Sequence, residues 1–228
     1  MTRHPDAVML FAAGFGTRMG TLTKDRPKPL IEVAGRPLID HTLDLTDDLP
    51  ADRVVANLHY LPDQLAAHLT PKGVLTSLEE PEILETGGGL RAALPLLGQD
   101  PVFTLNTDAI WSGPNPLTLL RKAWDPNRMD ALLMCVPIAQ TIGHAGPGDF
   151  TADAEGRITR GPGLVYGGAQ IIKTEGLAAI SEQAFSLNLL WDQMHKQGRL
   201  FAATYPGRWC DVGRPEGIAL AEGLIADV

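Results

Sequence analysis

The sequence predicts an α/β fold: a mostly parallel sheet flanked by helices, carrying a small antiparallel insertion. Three observations lead there. Short apolar runs rich in β-branched residues recur up to Pro137, helix-period segments separate most of them, and beyond Pro137 the pattern breaks into short polar and glycine-rich pieces.

The runs are AVMLFAA from Ala7, RVVANL from Arg53, VLTSL from Val74, PVFTLN from Pro101 and ALLMCVPI from Ala131. Between them lie PLIDHTLDL from Pro37, LPDQLAAHL from Leu61, GGLRAALPLL from Gly88 and NPLTLLRKAW from Asn115, whose apolar residues recur at helical spacing. Alternation of this kind makes βαβ units, and so a Rossmann-like parallel sheet. After Pro137 the turns marked by HAGPGDF, DAEG and RGPGLVYGG predict an antiparallel excursion over the sheet at about 138–170. The tail reads helix, strand, loop, helix, with Gly198 as a C-cap and Pro215 in the first turn of the last helix. The chain is therefore expected to be a single domain over 1–228 with one insertion.

Composition narrows the function classes. Of 228 residues 44% are hydrophobic and 20% charged, as in an ordinary globular protein, and no apolar run approaches the roughly 18 residues of a membrane span. No cleavage region follows the short apolar run at the amino terminus, so a cytoplasmic protein without membrane partners is expected. A net charge of -8 argues against nucleic acid as the partner, because phosphate backbones need a basic footprint. Cys135 and Cys210 have no metal-ligand spacing and are read as buried free thiols. Nothing in the sequence specifies an oligomer, and a monomer is expected.

In open α/β sheets ligands collect at the carboxyl ends of the strands, which directs attention to the loops after Ala12, Asn57, Leu78 and Leu105. The first loop, AAGFGTRMG, resembles a dinucleotide-binding turn, but its third glycine, Gly20, falls one place late, and RVVANLHY ends without a ribose-binding acid. Glycines let a backbone approach an anion, and Arg18 with Lys28 would neutralise a triphosphate. Prolines on both sides of Lys28 predict an extended segment there. Asp108 follows VFTL and Asp211 follows a later strand; two carboxylates beside a triphosphate are what a Mg²⁺ site needs.

The stretch AAGFGTRMGTLTKDRPKPLIEVAGRPLI resembles the signature of the sugar-1-phosphate nucleotidyltransferases, a glycine-rich G-x-G-T-R-[LM] loop followed by P-K-P-[LM]. The likeness continues through ETGGGLRAALPLL, LNTDAIW, GPGDF and GRWCDVGRPE, closest to the small subgroup of N-acetylmuramate-1-phosphate uridylyltransferases, with Ser186 where that subgroup usually carries a lysine. The resemblance implies the nucleotide-diphospho-sugar transferase type of fold, a nucleoside triphosphate and a sugar 1-phosphate as substrates, and magnesium as cofactor, held by Asp108 and Asp211. It implies that Arg18 holds the departing pyrophosphate and Lys28 the α-phosphate. Ala12, Ala13, Gly14, Gly16 and Thr17 would form the nucleotide loop, and Gly87 and Gly88 would lie against the base. On the sugar side it offers Asn106, Asp149, Tyr166 and Gly168. Related readings are a mannose- or glucose-1-phosphate nucleotidyltransferase, a cytidylyltransferase acting on a phosphorylated alcohol, or a non-catalytic nucleotide-sugar-binding regulator.

Overall fold

The computed structural model describes residues 5–98 and 101–227. The first half of the chain runs β1 (Ala7–Phe11), β2 (Glu32–Val33), β3 (Arg36–Pro37), α1 (Leu38–Asp44), β4 (Arg53–Leu58), α2 (Pro62–Leu69), β5 (Leu75–Leu78), α3 (Glu85–Leu97) and β6 (Val102–Asn106). It continues with β7 (Ala109–Ser112), α4 (Pro116–Ala123), β8 (Ala131–Pro137), β9 (Thr141–Ile142), β10 (Phe150–Ala152), β11 (Ile158–Arg160) and β12 (Leu164–Ile172). The last elements are α5 (Asn188–Lys196), β13 (Leu200–Thr204), β14 (Arg208–Asp211) and α6 (Glu216–Ala226).

Every apolar run read as a strand is one. β1 sits at the centre, parallel to β4 on one side and β6 on the other, with β5 parallel beyond β4. Because successive side chains of a strand face opposite ways, Val8 and Leu10 pack on one layer and Ala7 and Met9 on the other. The first layer holds Leu65 and Leu69 of α2 with Leu117 and Leu120 of α4; the second holds Leu90 and Ala93 of α3 with Leu190 and Met194 of α5. Burying each such side chain contributes about 1.5–3 kcal/mol, which is why the strands read as continuous apolar runs.

The antiparallel segment differs from the excursion over the sheet that the glycine-rich turns suggested. β12 is a strand of the main sheet itself, antiparallel to β6 and to β8, and the β10–β11 hairpin extends its amino-terminal end. The physical reason is burial: Phe150 and Ile158 of the hairpin join the core beneath α5, so the segment is tied into the domain. β12 also changes register between Tyr166 and Gln170, a bulge made by Gly167 and Gly168. At the helix ends, Gly198 takes φ 67° after α5 as a C-cap should, while Pro215 is the residue before α6 and not within its first turn. Both cysteines are buried free thiols, and burial pushes Cys210 up to about 11. Among the described residues no helix is long and apolar enough to cross a membrane.

Candidate functional site

A cleft of about 300 Å³ opens at the carboxyl ends of β1, β4 and β6. Its floor is the glycine loop. A Cβ on Gly16, which has φ +63°, would stand 2.9 Å from both Lys28 Cβ and Thr23 Cγ2, so only glycine lets the loop turn over the lysine. Thr17 then opens two short 3₁₀ turns within Thr17–Thr23, kinked at Gly20 (φ 60°) and anchored by the buried Met19 and by the Thr23 hydroxyl donating to the carbonyl of Gly16 at 3.1 Å. From the far side, the Tyr60 hydroxyl donates to the Thr23 carbonyl at 2.9 Å, and Phe15 meets the His59 ring edge-on at 5.2 Å.

Lys28 begins a single 3₁₀ turn, Lys28–Leu30, and is not in the extended segment its flanking prolines suggested. Pro27 is extended, but Pro29 sits in the first turn, where its missing N–H leaves no bond unmade. The side chain is only 11% exposed, and its Nζ donates to Asp108 Oδ2 at 2.6 Å. Asp211 lies beside this pair, because β14 pairs antiparallel with β7 and the Val212 amide donates to the Asp108 carbonyl at 2.9 Å. Burial and the neighbouring Asp108 push the Asp211 carboxyl up, while Lys28, Arg18 and His144 pull it down. Arg18 closes the group: a Cβ on Gly213 would lie 2.9 Å from Asp211 Oδ2 and 3.1 Å from Arg18 Nη1.

The two carboxylates crowd one another and only one has a lysine against it. Such a set of hard oxygen donors beside two cations fits a divalent ion that keeps water and phosphate in its remaining positions. Among the described residues no group of three or more His, Cys, Asp or Glu side chains gathers into a denser metal site.

Of the residues singled out in the sequence, Ala12, Ala13, Gly14, Gly16, Thr17, Arg18, Lys28, Asn106 and Asp108 line the cleft; Asp211 is not among the lining residues, though Gly213 two places on is. Gly87 and Gly88 do not; their amides donate to the Phe185 carbonyl at 2.8 and 3.1 Å. A Cβ on Gly88 would come 2.4 Å from the Gln183 carbonyl oxygen, so these glycines serve the docking of segment 183–187 onto α3. Their neighbours Glu85 and Thr86 face the cleft instead, Glu85 with a left-handed φ of +58°.

On the sugar side, Gly168 backs Asn106: its φ is +90°, and a Cβ there would stand 2.8 Å from Asn106 Cβ. Asp149 and Tyr166 are not among the lining residues. The Tyr166 amide donates to Asp149 Oδ2 at 2.9 Å, and the Tyr166 ring meets Trp191 edge-on at 5.0 Å. Burial raises the phenol, and Thr104 is bonded by the Gln170 side-chain amide at 3.0 Å. Ser186 accepts from the Asn188 amide at 3.2 Å. Sequence reasoning missed Asn57, which lines the cleft, and Glu79, which holds it; both belong to partnerships that no local pattern announces.

The family profile of the MobA-like NTP transferase domain matches residues 8–145. The chain belongs to the MobA-like NTP transferase family. This transferase is 39% identical to N-acetylmuramate alpha-1-phosphate uridylyltransferase of Caulobacter vibrioides, with 100% of each chain covered. It is 30% identical to the protein of the same name from Neisseria meningitidis serogroup B, over 90% of this chain and 92% of that one. In fold it matches HddC from Yersinia pseudotuberculosis, with a TM-score of 0.76 and 21% identity over 98% of this chain and 99% of that chain. A putative glucose-1-phosphate thymidylyltransferase from Bacillus anthracis gives 0.79 at 17% identity, over 97% and 96%. The α/β architecture of this transferase is therefore that of the nucleotide-diphospho-sugar transferases.

Proposed function

We propose that the cleft joins UTP to N-acetylmuramate 1-phosphate, giving the nucleotide sugar and pyrophosphate. The observation that carries the reading is the gathering of Arg18, Lys28, Asp108 and Asp211 around one glycine-loop cleft. The choice of substrates is supported by the full-length likeness to a uridylyltransferase of that sugar phosphate.

A non-bridging oxygen of the sugar phosphate attacks the α-phosphorus in line. A new P–O bond forms, the α–β bridge breaks, and pyrophosphate leaves with the bonding electrons. The attacking phosphate is already an anion, so no general base is needed. Catalysis then rests on positioning and on charge stabilisation. Lys28, seated at the junction of the glycine loop and Asp108, holds the α-phosphate; Arg18, at the entrance to the loop beside Gly213, holds the pyrophosphate. The base lies between the Ala12–Gly14 backbone and segment 83–86, where α3 begins. Asp108 and Asp211 would hold Mg²⁺, which when bound supplies positive charge to the phosphate oxygens. Asn106, backed by Gly168, faces the sugar, and Asp149, accepting from the Tyr166 amide, fixes the start of β12 beyond it. The same reading assigns the protein to the cytoplasm and to peptidoglycan recycling.

Label tracing tests this. With UTP labelled at the α-phosphorus, the label is expected in the nucleotide sugar, and with the γ label it is expected in pyrophosphate. Transfer of the γ label to the sugar would make the protein a kinase and overturn the proposal.

A further inference from the structure

Behind the cleft, three hydrogen bonds join its two walls. The Ala12 amide donates to Asn57 Oδ1 at 2.8 Å, Asn57 Nδ2 donates to Glu79 Oε1 at 2.7 Å, and the Leu84 amide donates to Glu79 Oε2 at 2.7 Å. Ala12 belongs to the glycine-loop wall, and Leu84 is flanked by Ile83 and Glu85 of the opposite wall. Glu79 is 1% exposed, and among the described residues its carboxylate is met by a side-chain amide and a backbone N–H, not by a cation.

Burying a carboxylate among neutral donors costs stability, so packing alone does not explain an acid here. α3 leaves space for the pair, since a Cβ on Gly89 would stand 2.4 Å from Glu79 Oε1 and 2.8 Å from Asn57 Nδ2. β5 delivers the acid to the right height: the Glu79 amide donates to the Leu58 carbonyl at 2.8 Å, one residue beyond Asn57. We infer that Asn57 and Glu79 form a strut that fixes the separation of the two walls and thereby sets the affinity for the nucleoside triphosphate. They are positioning residues, acting through Ala12 and segment 83–86, where α3 begins. The inference rests on the nucleotide-binding reading of the cleft.

The polarity of the strut supplies its test. Glu79→Gln alone places two N–H donors against each other, and Asn57→Asp alone places two acceptors against each other. The double variant reverses the middle hydrogen bond and satisfies every group again. Titration calorimetry with UTP and Mg²⁺ is expected to show about tenfold weaker binding in each single variant, the scale of one unsatisfied buried group, and recovery to within about threefold in the double. KM for the sugar phosphate should move by no more than about twofold in all three. Losses that add in the double variant, or single variants that melt lower yet bind UTP as wild type does, would overturn the strut. If a single variant fails to fold, the double still decides: wild-type-like affinity supports the strut, and a tenfold loss contradicts it. Wild-type binding of UTP without turnover would sink the transferase proposal and leave the strut standing.

Discussion

Lys28 and Asp211 show how single residues hold charge at this site. Lys28 is nearly enclosed and bonded to Asp108, so its ammonium is placed before any substrate arrives. Lys28→Met keeps the aliphatic stem but removes the charge, and should lower kcat by about 10²–10³-fold, the scale of losing one preorganised donor to a developing anion. Steady-state kinetics with saturating UTP measures it. Asp211 stands above the usual carboxylate value of 3.8 because it is buried and faces Asp108. A folded-state value raised in this way means that ionisation costs stability: the cost is absent below the unfolded value and grows as the pH rises through the folded one. Asp211→Asn should therefore abolish turnover yet raise Tm at pH 7. In melting curves recorded without divalent cation, the gain should narrow as the pH is lowered toward 4. A variant that melts lower than wild type at pH 7 would refute the crowding of the two carboxylates.

The four charged residues were legible in the sequence because each follows a strand or sits in a loop with its own pattern. Asn57 and Glu79 were not, since their meaning lies in a bond between neighbouring parallel strands, and register is written in no local motif.

At the scale of elements, the strands and helices of the first half follow directly from their apolar periods. The exceptions are instructive. The Gly87–Gly89 run resembles a loop built to approach a ligand, but it is the first turn of α3, thinned so that segment 183–187 and the strut can press against it. Gly88→Ala should then act on folding more than on chemistry: it forces a methyl toward the Gln183 carbonyl and should cost about 1–3 kcal/mol, as overpacking does. Urea denaturation would measure that loss, with KM for UTP changing less than stability. β12 was the harder element to place. Its glycine pair reads as a turn, yet in the sheet it is a bulge that turns the strand around Asn106 and Trp111, and only the tertiary partners distinguish the two.

Across the whole molecule, the sheet delivers the segments after β1, β5 and β6 and Asn57 of β4 to a single cleft, and the small sheet of β7, β14 and β9 brings the second carboxylate beside it from the far end of the chain. That convergence makes this cleft a nucleotidyl-transfer site. Its most direct measurement is pyrophosphate release with Mg²⁺ across UTP, dTTP, GTP and CTP against N-acetylmuramate, N-acetylglucosamine, glucose and mannose 1-phosphates. The highest kcat/KM is predicted for UTP with N-acetylmuramate 1-phosphate, a result that would also show Ser186 to be compatible with this sugar. Pyrophosphate release with no pair in the matrix would contradict a nucleotidyl-transfer site in this cleft.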